Sequence, residues 1–418
     1  MLYPRWNIFI SHCKRRSVEV KKTIIINKIL IIGGDHHNTL AVARCLKRNN
    51  CDIKLLIHDN KNKDKVCIRH SNCVTSIDYV EDSEHGILKM LREYEFRNKT
   101  VLFPCSDLAA YTIDAYYNEL YKKYIIPGFK NQPGKVCLLM NKWEQKKLAE
   151  RNKLPMAKTW IISQVRGFFC IPDDIIYPCI IKPIKSIDGK KSDIRVCENE
   201  IELKDLYEYY IKEKYNELII QQFLKKQYEV CAYGCLLENG ELACGIVEKV
   251  REWPPKGGGS LTLAKFINDD RIERLNEKVT SILFSEGYRG QFDIEYFVCE
   301  DDIYLNEINF RHSGNGYALI KNNVNSPYYT CLEMCSAKLP NELKMQPSPE
   351  SFHMDEIAYL SHIRDYGIPF SEWIKEFFHV KAFAVFDVLD LPGTFAFYIP
   401  HILPAFKRMI RRNHEKKI

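Results

Sequence analysis

The first third of the chain alternates short apolar runs with amphipathic stretches. Three short runs rich in apolar residues predict strands, the first of them of the buried parallel type, and two longer amphipathic stretches predict helices between them. The strand runs cover 28–34, 51–59 and 100–107, and the helical stretches cover 37–49 and 83–96. This alternation predicts a doubly wound α/β domain over about 25–125, whose ligands bind beyond the carboxyl ends of the strands.

From residue 177 onward the apolar positions recur with the period of two that is typical of antiparallel strands. The turn signals between these runs are Asp188-Gly189, Asn239-Gly240 and Glu300-Asp301-Asp302. Helices are predicted at about 199–214 and 270–287. Ahead of this region, a linker near 127–134 precedes one predicted helix over 135–152. The second unit is therefore an α+β domain distinct from the first.

Composition and charge narrow the class of protein. At roughly 150 residues per domain, the 418 residues suggest two or three domains. With 46% hydrophobic and 28% charged residues, the chain is not largely disordered, a collagen or a coiled coil. The net charge is +7, but residues 1–22 and 407–418 each carry six basic residues and one Glu, which leaves 7 − 10 = −3 for the rest. We therefore expect no nucleic-acid partner.

The cysteines and apolar stretches predict a cellular compartment. None of the 16 cysteines lies in a CxxC pair, so reduced and buried thiols are expected. No signal peptide is expected, because the apolar run after the basic residues at 14–22 is short and is interrupted by Lys28. The longest stretch without an acidic or basic residue, 391–406, contains three prolines and is too short to cross a bilayer. These features predict a soluble, cytoplasmic protein.

The loop after the first strand contains GGDHHN, at 33–38. It lacks the second and third glycines of the GxGxxG dinucleotide fingerprint, which disfavours a Rossmann dehydrogenase. The simplest interpretation of His36 and His37 is a solvated turn that caps the following helix. Ser106 and Asp107 follow the third strand and should lie at the same edge of the sheet.

The segment 290–314, GQFDIEYFVCEDDIYLNEINFRHSG, holds the strongest cluster of candidate ligands. Two β runs flank an acidic turn and should pair as a hairpin, so Glu307 and Asn309 share a face and Glu295 can lie opposite. Arg311 follows just beyond. Hard oxygen ligands of this kind suit Mg²⁺ held together with substrate phosphates. A solvated hairpin face with incidental acids is the simpler alternative.

Two other strands end in residues suited to a nucleotide. Lys182 ends the apolar run YPCIIKP beside the polar loop SIDGKKSD, where it could meet a phosphate. The run ELIIQQFL leads into the connector Gln222-Phe223-Leu224, whose backbone could pair with the edge of a flat heterocycle. Glu229, seven residues past Gln222, could accept hydrogen bonds from ribose hydroxyls. A solvated lysine at a strand end is the alternative for Lys182.

This ordered series of residues resembles the ATP-grasp superfamily, over about residues 28–320. It runs from a helical lysine, Lys142, through Lys182 and IIQQFL to IEYF and YLNEINFRHSG. The most similar members are the carbamoyl-phosphate-synthetase large-subunit-like group and the carboxylate–amine ligases. The resemblance implies an N-terminal doubly wound pre-ATP-grasp domain followed by an ATP-grasp domain of two α+β subdomains. The implied divisions are a basic extension at 1–26, the pre-ATP-grasp domain at 27–128, the ATP-grasp domain at 129–330, and a C-terminal segment with a basic tail at 331–418.

The same resemblance implies roles for individual residues. The implied ATP contacts are Lys142 and Lys182 to phosphates, Gln222 and Leu224 to adenine through their backbone, and Glu229 to the ribose. The implied ligands of Mg²⁺, with Mn²⁺ as the alternative metal, are Glu295, Glu307 and Asn309. Lys182 and Arg311 are the implied catalytic cations, and Arg311 would assist the transferred phosphate or a substrate carboxylate. The loop SIDGKKSD has fewer glycines than the familiar phosphate loop of this family.

A glycine-rich segment, KVREWPPKGGGS at 249–260, adds a further candidate. Glycines let a backbone approach a ligand or move as a lid, and Arg251 and Lys256 could hold a carboxylate or an acyl phosphate. Arg251 is therefore a third candidate catalytic residue. A plain mobile loop is the alternative.

The resemblance implies an ATP-dependent carboxylate–amine ligase. In such enzymes a carboxylate attacks the γ-phosphorus of ATP to give an acyl phosphate and ADP, and an amine then displaces phosphate. The expected partners are small-molecule carboxylate and amine substrates. A non-catalytic ATP-binding regulatory protein on the same fold is the alternative, although a degenerate homologue would be expected to have lost one of the predicted ligands.

The C-terminal segment has two interpretations. One is a small lid or packing segment, with Asp387 and Asp390 in a turn. The other is weak peripheral contact with an anionic membrane, in which the basic tail meets lipid headgroups. Whether the chain forms a homodimer is left open.

Overall fold

The computed structural model describes residues 28–59, 63–165, 168–185, 193–253, 260–340, 342–363 and 367–400. The basic extension at 1–26, most of the loop SIDGKKSD, Lys256 and the basic tail lie outside the described residues.

The N-terminal region contains a sheet of five parallel strands. The strands are β1 (Ile29–Gly33), β2 (Ile53–His58), β3 (Ile77–Val80), β4 (Thr100–Pro104) and β5 (Tyr124–Ile125). The accompanying helices are α1 (His37–Arg48), α2 (Glu84–Glu93), α3 (Asp107–Ala115) and α4 (Tyr117–Leu120). The order β3-β2-β1-β4-β5 confirms the predicted doubly wound sheet. The two unpredicted strands, β3 and β5, are short edge strands without a continuous apolar run.

A short connection leads to the second sheet, which is antiparallel. The connection holds β6 (Gly128–Phe129), α5 (Lys135–Leu139) and α6 (Lys142–Arg151). The second sheet has the order β10-β9-β11-β7-β8, and it is built from β7 (Thr159–Val165), β8 (Phe168–Phe169), β9 (Cys179–Pro183), β10 (Arg195–Cys197) and β11 (Glu217–Gln222). Helices α7 (Glu200–Asp205) and α8 (Tyr207–Lys212) occupy the stretch where one helix was predicted.

The third sheet is the largest. Its strands are β12 (Tyr228–Leu236), β13 (Leu242–Trp253), β14 (Ser260–Phe266), β15 (Tyr288–Val298), β16 (Ile303–Asn309), β17 (Phe352–Met354) and β18 (Ala382–Phe383), with β6 paired to β15. They follow the order β16-β15-β12-β13-β14-β17-β18. The helices of this region are α9 (Asp270–Ser285), α10 (Tyr317–Lys321), α11 (Ser326–Met334), α12 (Glu356–His362) and α13 (Phe370–His379). The structure thus confirms the predicted α/β unit followed by α+β structure.

The single helix predicted over 135–152 is wrong, because the chain breaks it into α5 and α6. Asn141 lies between the two helices in an extended conformation, and its side chain accepts a hydrogen bond from the backbone N–H of Trp143 at 2.8 Å. Asparagine is a preferred residue at a helix N-terminus because it satisfies a donor that has no partner within the helix. Lys142 therefore lies in the first turn of α6.

The C-terminal segment is joined to α1 of the N-terminal region by a buried ion pair. The guanidinium of Arg44, in α1, is fully buried and donates to Asp390 Oδ2 at 2.8 Å and to the carbonyl of Val385 at 2.7 Å. Ser71 donates to the same carboxylate at 2.7 Å. Asp390 follows a turn at 388–389, as the packing interpretation predicted. Among the described residues, no helix is long and apolar enough to cross a membrane.

We expect Asp390→Asn to destabilise the protein by about 3–5 kcal/mol, because it leaves the buried Arg44 cation without a counter-charge. Urea unfolding followed by circular dichroism measures this change. The matched control is Asp52→Asn, which breaks the exposed 2.9 Å pair with Lys28 and should cost no more than about 1 kcal/mol. Equal effects of the two substitutions would contradict the anchoring role of Asp390.

Candidate active site

One face of the large sheet carries the predicted metal ligands. Directly opposed residues of antiparallel strands share a face. The register pairs Glu295 of β15 with Glu307 of β16, and Asp293 with Asn309. Two carboxyl groups therefore face each other, with an amide and a further carboxyl group beside them. The structure brings the three predicted metal ligands together.

A β-bulge decides which carboxyl groups face each other. Near the turn Val298 pairs with Ile303, and this register continued unchanged would place Glu295 opposite Asn306. The register instead shifts by one residue next to Glu295, so that Glu307 takes that place. The side-chain amide of Asn306 donates to Glu295 Oε2 at 3.1 Å. The predicted opposition is confirmed, and the bulge is its structural cause.

The surroundings make Glu295 costly to ionise. Burial raises the pKa of Glu295, and the neighbouring carboxylates of Glu307 and Asp293 raise it further, against the opposing charge of Lys249. An added cation on this face would lower the pKa of Glu295 and stabilise the ionised form.

Two lysines from other elements approach this face. Lys142 Nζ lies 3.0 Å from Glu307 Oε1. Lys182, in β9, donates to Gln221 Oε1 of β11 at 3.0 Å. The lysines lie near each other because the backbone N–H of Lys142 donates to the carbonyl of Ile184, one residue past β9, at 2.9 Å. Burial, and then the charge of Lys142, lower the pKa of Lys182 to about 8, against the opposing effect of Glu307.

Glu229 belongs to the same face of the sheet. Cys231 of β12 lies opposite Glu295, and Glu229 precedes it by two residues. Glu229 is only 5% exposed, and it accepts hydrogen bonds from Lys249, at 2.5 Å, and from Lys226. Burial raises the pKa of Glu229, but the two lysines more than offset this effect and lower it below its usual value. A ribose contact would have to share these oxygens with the lysines, and it stays a prediction.

Arg311 joins the large sheet to the first sheet. Its Nε donates to Asp107 Oδ1 at 3.0 Å and its Nη1 donates to Asp293 Oδ2 at 3.0 Å. Burial lowers the pKa of Arg311, but Asp107 and Asp293 more than offset this effect and hold the guanidinium charged. The positive charge of Arg311, two residues past Asn309, is therefore balanced by Asp107 of the N-terminal region and by Asp293 of the large sheet.

A polar network fixes the start of α3, and with it the position of Asp107. Ser106 caps α3 by accepting the backbone N–H of Ala109 at 3.1 Å. His58 Nε2 lies 2.7 Å from Ser106 Oγ, and its Nδ1 lies 2.8 Å from Asp82 Oδ1. These residues follow or end three different strands, so the network ties together the ligand-binding edge of the first sheet. His36 caps α1 at the same edge, as predicted.

The connector between the second and third sheets contains Gln222 and Leu224. Gln222 ends β11, and its backbone N–H donates to the carbonyl of Lys158 at 2.9 Å. The carbonyl of Leu224 accepts from the N–H of Lys226 at 2.9 Å. The segment passes from the sheet that carries Lys182 to the strand that carries Glu229. The adenine contacts of both residues stay predictions.

Arg251 contacts the C-terminal segment. Its guanidinium lies 2.8 Å from Glu372 and 2.6 Å from Glu376, both in α13, and 5.9 Å from the centre of the Tyr359 ring. Burial lowers the pKa of Arg251, but Glu376 first among its partners raises it above its usual value. A role for Arg251 toward substrate stays a prediction, since a substrate carboxylate would have to compete with these two glutamates.

Sequence reasoning missed several residues of the site. Asp293 lies two residues before Glu295, so the period of two could have placed it on the same face. Glu229 and Lys249 are almost symmetrical about the Asn239-Gly240 turn, which was a usable signal for their pairing. No comparable signal in the sequence joins Asp107 to Arg311, because the two residues are 204 positions apart.

The oxygen ligands suit a metal that arrives with a phosphorylated molecule. Within the described residues, no group of three or more His, Cys, Asp or Glu side chains is placed to hold a metal ion. Glu295, Glu307 and Asn309 could supply part of an octahedral shell, and phosphate oxygens and water would complete it, as is usual for Mg²⁺. The residues present therefore fit such an ion.

Comparison with known proteins identifies the region that carries this site. The family model of the ATP-grasp domain matches residues 147–326. Among curated proteins, the formate-dependent phosphoribosylglycinamide formyltransferase of Sulfurovum sp. (strain NBC37-1) is 24% identical over 162 residues, which are 37% of this chain and 40% of that protein. The enzyme of the same name from Histophilus somni (strain 129Pt) is 26% identical over 188 residues, 43% of this chain and 46% of that protein. The chain thus spans less than half the length of these relatives.

Solved structures share the fold over more of the chain. N5-carboxyaminoimidazole synthetase from Staphylococcus aureus, complexed with ADP, superposes with a TM-score of 0.60 at 17% identity, covering 85% of this chain and 87% of that one. An L-amino acid ligase from Bacillus licheniformis gives a TM-score of 0.57 at 13% identity, covering 78% of each chain. Residues 147–326 therefore match the ATP-grasp domain, and the fold of most of the chain is similar to that of these two solved structures.

Proposed function

We propose that the protein is an ATP-dependent carboxylate–amine ligase, which forms an amide-type bond through an acyl phosphate and releases ADP and phosphate. The observation that carries this proposal is the convergence of two opposed carboxyl groups, Glu295 and Glu307, with two lysines, Lys142 and Lys182. Carboxylates for a metal and ammonium groups for phosphates are what phosphoryl transfer from ATP requires. The similarity to a formate-dependent formyltransferase and to a synthetase complexed with ADP supports the proposal.

We assign each residue the ligand group that its charge or backbone can bind. Lys142 and Lys182 would hold ATP phosphates, and the backbone of Gln222 and Leu224 would hold adenine, with Glu229 at the ribose. Glu295, Glu307 and Asn309 would hold Mg²⁺ or Mn²⁺. The metal, when bound, neutralises charge on the phosphates. Arg311 would orient the transferred phosphoryl group or the acid substrate. Arg251, another catalytic cation, would bind substrate only after giving up its contacts with the two glutamates of α13.

The chemistry needs alignment and charge neutralisation rather than a covalent enzyme intermediate. A carboxylate oxygen of the acid substrate attacks the γ-phosphorus, and the bond to ADP breaks. The nitrogen of the amine then attacks the acyl carbon, phosphate leaves, and the nitrogen gives up a proton to solvent.

All 15 cysteines in the described part of the chain are free, which supports a cytoplasmic site of action.

An acyl phosphate can be trapped without knowledge of the amine substrate. We expect a panel of amino acids and sugar acids, with ATP, Mg²⁺ and hydroxylamine, to contain acids that yield a hydroxamate and ADP in equal amounts. Glu307→Gln should lower this rate about 100-fold or more, because it removes charge from the metal site. The matched control is Glu300→Gln, which lies exposed at the turn of the same hairpin and should leave the rate unchanged. ATP binding without hydroxamate from any acid would favour the non-catalytic alternative, and an unchanged rate in Glu307→Gln would contradict the metal assignment.

The lowered pKa of Lys182 predicts how ATP binding depends on pH. Below pH 8 the ammonium group of Lys182 is charged and can bind phosphate. Above pH 8 Lys182 must take up a proton before it can bind phosphate. The affinity for ATP should therefore fall by up to about tenfold per pH unit above pH 8. Isothermal titration between pH 7 and 9.5 measures this fall. Lys182→Arg retains its charge across this range and should give a flatter profile. A flat wild-type profile would contradict a phosphate contact of Lys182.

A further inference from the structure

The last described helix exposes a stripe of large apolar side chains. Residues 391–400 are helical, and Leu391, Phe395 and Ile399 are 42%, 54% and 58% exposed. Because they are spaced four residues apart, they lie one above the other on one face of the helix. The turn directly before the helix adds two exposed apolar residues, 66% and 67% exposed, Val388 and Leu389.

The opposite face of this helix is fixed to the body of the protein. Thr394 and Phe397 are buried, at 1% and 5% exposure. Tyr398 donates its hydroxyl hydrogen to Glu356 Oε1 at 2.9 Å. The buried Asp390 holds the preceding turn to Arg44. These contacts set the rotation of the helix, so the stripe cannot turn inward without breaking them.

The charge pattern of the sequence indicates what meets the stripe. Residues 391–406 contain no Asp, Glu, Lys or Arg, and the twelve residues that follow, 407–418, contain six basic residues and one Glu. Outside the two basic ends, the chain carries a net charge of −3. In the sequence, positive charge is therefore concentrated in the last twelve residues, which begin eight positions after Ile399. An apolar face with adjoining cations matches the boundary between acyl chains and anionic headgroups.

We propose that this C-terminal stripe docks on an anionic membrane surface. Leu391, Phe395 and Ile399 enter the boundary between headgroups and acyl chains, and the basic residues that follow them in the sequence meet the lipid charges. The contact is peripheral, and it stands independently of the ligase reaction.

Sedimentation of the full chain with lipid vesicles tests the proposal. We expect the protein to pellet with vesicles that contain 30% phosphatidylserine in phosphatidylcholine, and to stay in the supernatant with phosphatidylcholine alone, with binding weakened by salt. Phe395→Ser/Ile399→Ser should weaken binding about tenfold or more. Lys407→Gln/Arg408→Gln/Arg411→Gln/Arg412→Gln should weaken it by roughly fivefold for each charge removed.

The matched control is Ile201→Ser, which removes a 72% exposed apolar side chain from α7 in another part of the chain and should bind as wild type does. Thermal unfolding checks that each variant keeps its fold, which the exposure of Phe395, Ile399 and Ile201 favours for the substitutions at these positions. Absence of vesicle binding, or binding that neither multiple variant weakens, would overturn the proposal. A dimer seen by light scattering and lost in Phe395→Ser/Ile399→Ser, without vesicle binding, would make the stripe an interface between copies.

Discussion

The site depends on one electrostatic constraint: two carboxyl groups are held face to face in a poorly hydrated sheet. Glu295 and Glu307 are opposed across neighbouring strands, and burial with neighbouring carboxylates raises the pKa of Glu295. Such a pair is stable only when positive charge surrounds it. Lys142 and Lys249 supply part of that charge from different elements. A metal ion carried by a nucleotide would supply more, and it would offset the repulsion between the two carboxylates.

Much of the surrounding structure delivers cations to this face at fixed positions. The break at Asn141 starts α6 where Lys142 can reach Glu307, and the end of β9 holds Lys142 near Lys182. Arg311 contacts Asp107 in the first turn of α3, and the hydrogen bond between His58 and Ser106 fixes the start of that helix. The acidic body of the chain can therefore present positive charge locally to an anionic ligand. The net charge of the whole chain comes from its two ends, whereas the local placement of lysine and arginine side chains supports the proposed nucleotide ligand.

The C-terminal segment has a structural role besides its exposed stripe. It adds β17 and β18 to the edge of the large sheet, and its Asp390 pairs with Arg44 of α1. Its helix α13 contacts Arg251 of β13. The segment thus contacts both halves of the molecule, and the stripe is presented on a support that cannot easily reorient.

The sequence by itself determined the class of each region and the residue types of the site. Short runs rich in apolar residues predicted the parallel strands, and two β runs about an acidic turn predicted the β15–β16 hairpin, because both signals are local in the sequence. The bulge at Asn306, which sets Glu307 opposite Glu295, was decided by the tertiary structure, since a one-residue shift leaves the local pattern unchanged. The break at Asn141 had a local signal, because asparagine is a preferred residue at a helix N-terminus. The contacts of Arg311 with Asp107 and of Arg44 with Asp390 were decided by the tertiary structure. These pairings join residues far apart in the chain, and their free energy depends on burial that only the folded molecule provides.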